Sequence, residues 1–294
     1  MKKNKTVLGY VLVIASAVIY GLMPLLTCFI YEEGVNSFSL VFIRNILSLP
    51  MLAIATKIGG SSLKINPRAL PTIGGIALLG CCVTPMLLYT SYNFIDTGIA
   101  TVFHFVYPAL VMILSLVFLK TKFRFANLIS LIICIAGICM FYTPGAELSI
   151  SGSALALLSG LAYAIYIVWL SVFKYTDISG FVFTFYGSLF CSIVSLIFCV
   201  CSGNMYFPTT LQGWLLCILF ALICNVGAVV LFQKGTMLIG GERASILSTV
   251  EPITSVVAGI AFLGEDGGIF TIIGTVLVVI ASTLIAVSDM KNKN

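Results

Sequence analysis

Ten uninterrupted apolar runs leave this chain few ways to fold. They span residues 7–31, 38–56, 69–91, 97–119, 125–143, 152–173, 179–201, 211–233, 244–263 and 268–288, each 19 to 25 residues long. About 20 helical residues cross the hydrocarbon core of a bilayer. Strands of a membrane barrel alternate polar and apolar residues and do not produce such runs. The chain is 60% apolar and 9% charged, whereas soluble domains have roughly 45–50% and 25%. No water-soluble interior hides that much apolar surface, and disorder requires the opposite composition. The predicted fold class is therefore an all-α polytopic membrane protein of ten transmembrane helices, with the lipid bilayer as its solvent.

Charge sets the expected orientation, because cytoplasmic loops collect Lys and Arg. With ten spans and the N-terminus inside, the inner segments hold Lys2, Lys3, Lys5, Lys57, Lys64, Arg68, Lys120, Lys122, Arg124, Lys174, Lys234, Arg243, Lys291 and Lys293, which is 14 of the 15 basic residues. The outer loops hold acids instead: Glu32, Glu33, Asp96, Glu147, Glu265 and Asp266. Both termini are expected to be cytoplasmic, in a multi-pass protein of a bacterial-type cell membrane. Lys2, Lys3 and Lys5 before Ala15-Ser16-Ala17 also resemble a signal peptide. The apolar stretch continues through Ile30, longer than a signal-peptide core, and is read as a retained first span. The net charge of +5 is scattered, with no long basic stripe, so no nucleic-acid partner is expected.

All ten cysteines lie inside apolar runs, no C-x-x-C pair occurs and there is one histidine. Cysteine here reads as a small hydrophobe, and neither a metal site nor another cofactor is expected.

The chain also repeats itself. A shift of 143 aligns Gly9 with Gly152, Leu12 with Leu155, Ser16 with Ser159, Tyr20 with Tyr163, Phe38 with Phe181 and Phe42 with Phe185. A shift of 144 aligns Ala77-Leu78 with Ala221-Leu222, Ala100 with Ala244, Val106 with Val250, Pro108 with Pro252 and Phe118-Leu119 with Phe262-Leu263. This divides the chain into a first five-helix repeat (1–143), an extracytoplasmic linker at Pro144-Gly145 (144–151) and a second five-helix repeat (152–294). Five spans is an odd number, so the second repeat enters the membrane from the opposite side. Such inverted repeats are a common plan of secondary transporters, with the site at the repeat interface.

Several segments carry a family resemblance. They are Ile19-Tyr20-Gly21, Phe42-Ile43-Arg44, the run Ala244-Ser245-Ile246-Leu247-Ser248-Thr249-Val250-Glu251-Pro252, and the exit Leu263-Gly264-Glu265. The chain resembles the drug/metabolite transporter superfamily, in particular its EamA-type members, over essentially its whole length. In the first half, Lys120-Thr121-Lys122 stands where the second half has Gly-Glu. The resemblance implies a ten-helix carrier or exporter of amino acids, other metabolites or drugs, and it leaves the substrate open.

Polar groups inside spans are costly and mark function independently of any family. Glu251 lies some seven residues into the ninth span, ~11 Å at ~1.5 Å per residue. It is a candidate proton carrier or ligand for a substrate amine, or else a structural hydrogen-bonding group. Arg44, six residues into the second span, either snorkels, pairs with a buried acid or attracts a substrate anion. His104 in the fourth span is either a structural hydrogen-bonder or a relay. Pro108 and Pro252 each lack an N–H and free the carbonyls of His104 and Ser248. These helix breaks place His104, Tyr107, Ser248 and Glu251 near a shared pathway, or else are packing kinks. Tyr20 and Tyr163 are deep and repeat-related; Tyr89, Trp169, Asn225 and Gln233 are secondary candidates. Aromatic side chains with a polar tip suit a cavity for amphipathic metabolites, whereas Tyr89 and Trp169 also read as interface anchors. Lys234 and Arg243 mark the inner mouth.

The expected function is secondary transport of a small organic metabolite by alternating access, in the export direction. The absence of G-x-x-x-x-G-K-[ST] argues against a nucleotide-driven pump, and the absence of a TVGYG-like filter against a potassium-type channel. An intramembrane enzyme acting on a lipid or small molecule is the rival. It is disfavoured by the lack of a G-x-S-x-G elbow, paired aspartates or H-E-x-x-H.

Overall fold

The structure, a computed structural model, describes residues 2–119, 125–140, 149–171, 178–239, 247–265 and 267–290. Among them every regular element is helical: α1 (Lys2–Glu32), α2 (Ser37–Ile58), α3 (Leu70–Ala77), α4 (Thr84–Ser91), α5 (Thr97–His104), α6 (Tyr107–Phe118), α7 (Phe125–Met140), α8 (Ile150–Ser171), α9 (Gly180–Ser202), α10 (Leu211–Phe220), α11 (Val229–Ile239), α12 (Val250–Ala258) and α13 (Ile269–Met290). Several join into single spans. A short 3-10 turn, Pro67–Ala69, leads into α3, and π-helical turns at Leu78–Val83, Ala221–Ala228 and Gly259–Leu263 connect α3 to α4, connect α10 to α11 and extend α12. Seven helical stretches among the described residues are long and apolar enough to cross a membrane, and Val250–Leu263 and Ile269–Ala281 are shorter apolar ones. The fifth apolar run is represented by the 16 residues of α7. The chain is a multi-pass membrane protein.

Helix starts follow from capping. The side chains of Asn36, Ser179 and Thr210 accept hydrogen bonds from the N–H groups of Ser39, Val182 and Gly213, satisfying donors that a helix leaves free at its first turn. Gly203, at φ +65°, ends α9 in the left-handed region, where glycine pays no steric penalty. Within spans, Thr27, Ser192, Ser195 and Thr275 donate to the carbonyls four residues earlier, which keeps their hydroxyls satisfied in hydrocarbon.

Several helix pairings organise the interior. The buried face of α9 is built of small residues (Gly187, Ser188, Cys191, Ser192, Ser195, Cys199), and α2 lies against it. Small residues let helix backbones approach closely where lipid supplies no hydrophobic drive. α1 lies against α11 and α12, while α4 and α6 lie against α8. Ser16 Oγ donates to the Ala228 carbonyl in the second π turn at 2.8 Å. Apolar side chains such as Ile193, Ile197 and Val200 of α9 and Leu211 and Leu215 of α10 are exposed on the perimeter, as a lipid-facing surface requires.

The helices alternate in direction, and contacts at their tips define two ends. At the far end, the tip of α1 meets that of α4 through Tyr31 Oη to the Tyr89 carbonyl (2.8 Å). A Cβ added to Gly152, near the start of α8, would sit 2.7 Å from Phe94 at the same end. α1 therefore begins at the near end and α8 at the far end, so these repeat-related helices run in opposite directions. The Pro144-Gly145 seam, Lys120-Thr121-Lys122, Arg243 and Ala244-Ser245-Ile246 lie outside the described residues.

Candidate functional site

A cavity of about 440 Å³ opens between the two halves of the chain, within the ~300–1,000 Å³ range of small-molecule sites. Eight of the polar residues singled out in the sequence line it: Tyr20, Arg44, Tyr89, His104, Tyr107, Tyr163, Asn225 and Glu251. They come from α1, α2, α4, α5, α6, α8, the second π turn and α12, so no local stretch of sequence contains the site.

Arg44 is 7% exposed and does not snorkel to the surface. Its Nη1 donates to Tyr89 Oη at 2.6 Å and its Nη2 to the Cys81 carbonyl at 3.1 Å, while the guanidinium carbon lies 5.5 Å from the Tyr89 ring centre. Its own backbone carbonyl accepts from Asn225 Nδ2 at 3.3 Å. Tyr89 is fully buried and positions Arg44; the interface-anchor reading does not hold for it. Cys81 belongs to the first π turn and Asn225 to the second, so Arg44 is held by both. π turns arise where a helix carries an extra residue, frequently at functional sites.

Elsewhere on the cavity lining, His104, Tyr107, Tyr163 and Tyr166 form an aromatic cluster. Ring centres are 5.4 Å apart for His104–Tyr163, 4.8 Å for Tyr107–Tyr163 and 5.3 Å for Tyr163–Tyr166. His104 Nδ1 is 2.8 Å from Ser159 Oγ, which itself donates to the Ala156 carbonyl at 2.6 Å. That leaves Ser159 accepting from Nδ1–H, which places the lone pair of the imidazole on Nε2. Glu251 lines the same cavity as Tyr20, Tyr107 and Tyr163. Gly21 makes the position of Glu251 possible. A Cβ on it would stand 2.6 Å from the Glu251 carbonyl and 2.6 Å from Thr254 Cβ.

Both helix breaks occur where the prolines are. α5 ends at His104 and α6 begins at Tyr107, with Pro108 in its first turn; α12 begins at Val250, so Pro252 also falls in a first turn. The missing N–H groups thus coincide with positions that a helix start leaves unpaired anyway. The His104 carbonyl is approached by Gly160, where a Cβ would come within 2.7 Å. The Ser248 carbonyl accepts from the Glu251 N–H at 3.0 Å. The two broken spans meet directly, Ser255 Oγ donating to Thr101 Oγ1 at 2.9 Å.

Other candidates fall elsewhere. Ser248 is buried beside the break, outside the cavity lining. Trp169 is 40% exposed and does not line the cavity; a Cβ on Gly75 would meet its ring at 2.7 Å. The side chains of Gln233 and Lys234 lie outside the described residues. Sequence reasoning passed over Tyr166, Asn45 and Ser188, all of which line the cavity. Each had a signal: Tyr166 follows Tyr163 by one helical turn, and Asn45 and Ser188 are related by the same shift of 143. Among the described residues no group of three or more His, Cys, Asp or Glu side chains is placed to hold a metal ion.

The cavity lining reaches Ile178, in the connection from α8 to α9, and Gly180, at the start of α9, both at the near end. Beyond Tyr89 the far end is closed by contacts between the halves. Glu265 accepts from the Thr97 N–H (2.6 Å), Thr97 Oγ1 (2.5 Å) and the Gly98 N–H (3.0 Å) at the start of α5. Thr210 Oγ1 donates to Glu33, and Asn36 Nδ2 donates to the Asn204 carbonyl at 3.0 Å.

A helical body of two halves around a cavity lined from both matches a known family. The profile described as EamA-like transporter family fits the chain twice, over residues 7–143 and 150–287. The chain belongs to the EamA-like transporter family. An uncharacterized transporter of Clostridium kluyveri is 22% identical over 96% of this chain and 94% of its own length. An uncharacterized transporter of Archaeoglobus fulgidus is 27% identical, covering 84% and 90%. The uncharacterized inner membrane transporter YicL of Salmonella typhimurium is 24% identical, covering 96% of each. A solved crystal structure shares the fold with a TM-score of 0.64 at 15% identity, covering 99% of both chains. In this EamA-like chain Val250-Glu251-Pro252 is the segment that begins α12, with Glu251 on the cavity wall.

Proposed function

We propose that this EamA-like protein is a secondary transporter that moves a small organic metabolite by alternating access through the cavity between its two halves. The observation that carries this reading is a cavity lined from both halves that reaches the near end at Ile178 and Gly180, with hydrogen bonds between groups of different halves at the far end. Ten spans in two inverted repeats, 1–143 and 152–294 around the 144–151 linker, supply the mechanical basis. Each repeat rocks against the other and exposes the same site to either side. The near end carries Lys57, Lys64 and Arg68 and the far end Glu32, Glu33 and Glu265. By the positive-inside rule the near end and both termini are cytoplasmic, and the structure corresponds to the inward-facing state. Tyr20, His104, Tyr107, Tyr163 and Glu251 contact the substrate, and Arg44, Tyr89 and Asn225 line the same cavity. Net export matches the acceptance of substrate from the cytoplasmic side.

Glu251 is the group placed to exchange a proton during the cycle: it is the acidic side chain on the cavity wall, and each halt of the cycle exposes that wall to one aqueous phase. The test is flux into proteoliposomes across a panel of amino acids and other metabolites, with and without an imposed pH gradient. Flux of at least one unaltered compound is expected, and in Glu251→Gln at saturating substrate the response to the gradient disappears while exchange persists. An unchanged response to the gradient removes Glu251 from proton coupling. A chemically altered product would favour the intramembrane-enzyme reading over the carrier.

A further inference from the structure

Three thiols meet where the first π turn touches the second half of the chain. The π turn Leu78–Val83 contains Cys81 and Cys82, and α9 carries Cys191 on its buried face of small residues. The two segments lie against one another, and both run from the near end to the far end. Their backbones come close where the contact begins: a Cβ on Gly187 would stand 2.9 Å from the Cβ of Ala77. One helical turn further along, Cys191 faces the paired cysteines. Its Sγ donates to the Ala77 carbonyl at 3.4 Å, and its side chain is in hydrogen-bond contact with those of Cys81 and Cys82. Ala77 is the last residue of regular helix before the π turn. The sulfur of one half thus rests at the point where a helix of the other half widens.

Reading cysteine as a small hydrophobe accounts for burial, but not for three thiols sharing one contact across the halves. The polar network of the cavity does not use their sulfur: Arg44 and Asn45 donate to the backbone carbonyl of Cys81. All three are free thiols, and they differ in access. Cys81 lines the cavity and is partly exposed, whereas Cys82 and Cys191 are buried. A small reagent that enters from the near end meets Cys81 first, with Cys191 behind it. An accessible cysteine poised next to a second one that can resolve it is the arrangement of thiol redox sensors.

We propose that Cys81 and Cys191 are a redox-controlled bridge between the halves, which a small disulfide entering the cavity oxidises and which, once closed, arrests the transport cycle. The Cys81 thiolate attacks one sulfur of the reagent, so that a Cys81–S bond forms, the reagent's S–S bond breaks and one thiol departs. Cys191 gives up its proton and attacks the Cys81 sulfur. The internal disulfide forms as the second thiol departs with that proton. The protein loses two electrons and two protons, and the reagent gains both. In a reducing cytoplasm the pair stays open, so the bridge closes only under oxidation. Closure ties the π turn that holds Arg44 to α9 of the other half, and the two halves can no longer move apart at this level. The arrest rests on the carrier reading above; the bridge itself does not.

The test treats the full chain in proteoliposomes with 2-hydroxyethyl disulfide, blocks the remaining thiols with N-ethylmaleimide and maps disulfides by mass spectrometry. A cross-linked peptide pair joining Cys81 to Cys191 is expected. It should vanish with dithiothreitol, persist in Cys82→Ala and be lost in Cys81→Ala, which keeps the backbone carbonyl that Arg44 uses. Cys191→Ser keeps a donor for the Ala77 carbonyl and should stop at a mixed disulfide on Cys81. Because the loop closed by the bridge is long, the oxidised wild-type protein should unfold several degrees higher than the reduced one, and Cys191→Ser should show no such rise. A mixed disulfide that stays on Cys81 in the wild-type protein overturns the bridge, and so does a bridge to Cys191 that survives in Cys81→Ala. The wild-type map decides this even if a variant fails to fold. Flux across the metabolite panel is expected to fall at least fivefold on oxidation and to return with dithiothreitol, with no fall in Cys191→Ser. Undiminished flux through a fully bridged protein overturns the arrest. Absence of flux in both redox forms overturns the carrier reading, and the arrest with it, while the peptide map still decides the bridge.

Discussion

Replacing Glu265 with alanine is expected to unseal the far end of the protein. One carboxylate there takes three hydrogen bonds from the first turn of α5, two from backbone N–H groups and one from the Thr97 hydroxyl. It acts as an N-terminal cap supplied from the opposite half of the chain, where the helix dipole also favours a negative charge. Hydrogen bonds to charged groups contribute about 1.5–3 kcal/mol each, and caps about 0.5–2 kcal/mol. These terms overlap, so a shift of about 2–4 kcal/mol against the closed far end is the expected scale. Cys28, a half-buried thiol near the tip of α1 within electrostatic reach of Glu265, is the natural reporter. Peptide-resolved labelling with a membrane-impermeant maleimide from the far side should rise several-fold at Cys28 in Glu265→Ala, by less in Glu265→Gln, and not at all at the exposed Cys201. Equal labelling of Cys28 in all three proteins would show that Glu265 is not what closes this end.

Valine at Gly21 or Gly160 is expected to abolish function by a different route. At both positions the added Cβ meets backbone rather than a movable side chain: the Glu251 carbonyl at 2.6 Å from Gly21, the His104 carbonyl at 2.7 Å from Gly160. Neither backbone yields without moving its helix, and overpacking of this kind costs about 1–3 kcal/mol. The movement would carry Glu251 away from Tyr20 in one case and His104 away from Ser159 in the other. Gly60, at φ +72° with open space around it, offers the contrast. Gly60→Ala strains the local backbone without touching the cavity. The measurement is thermal stability in detergent together with flux: both glycine-to-valine variants should lose flux and unfold at lower temperature. Gly60→Ala should keep its flux. Wild-type flux in Gly21→Val would show that α1 and α12 tolerate separation at this point.

The parts of this protein legible in its sequence are those written in periodicity and cost. Ten apolar runs announce the spans, and a charge inside a run announces itself because hydrocarbon penalises it. Arg44 and Glu251 were found in this way, and Tyr20 with Tyr163 through the repeat. The interpretation of Arg44 as a snorkelling side chain failed because snorkelling assumes lipid around the residue, whereas Arg44 is buried and bonded to the Tyr89 hydroxyl and the Cys81 carbonyl. Glu265 read as one more acid in an outer loop. Its value depends on the unpaired N–H groups of a helix 168 residues away in sequence, Thr97 being its partner, and no local pattern encodes such a meeting. Ser248 was placed on the pathway by its closeness to Pro252, but it is buried outside the cavity lining.

The π turns at Leu78–Val83 and Ala221–Ala228 carry a consequence for anyone who edits or aligns this chain. Each begins at a member of the repeated Ala-Leu pair, and each stores a surplus residue relative to a regular helix. Successive residues of a helix advance by about 100°. Deleting one residue within 78–83 would therefore relax the turn to ordinary helix and leave Tyr89 facing Arg44, because the residue removed is the surplus one. A deletion of the same size in regular helix between Thr84 and Tyr89 would instead swing Tyr89 by roughly that angle away from Arg44. Single-residue gaps at these two turns are thus absorbed where they fall, whereas a gap placed a few residues later exchanges which side chains the cavity shows to its cargo.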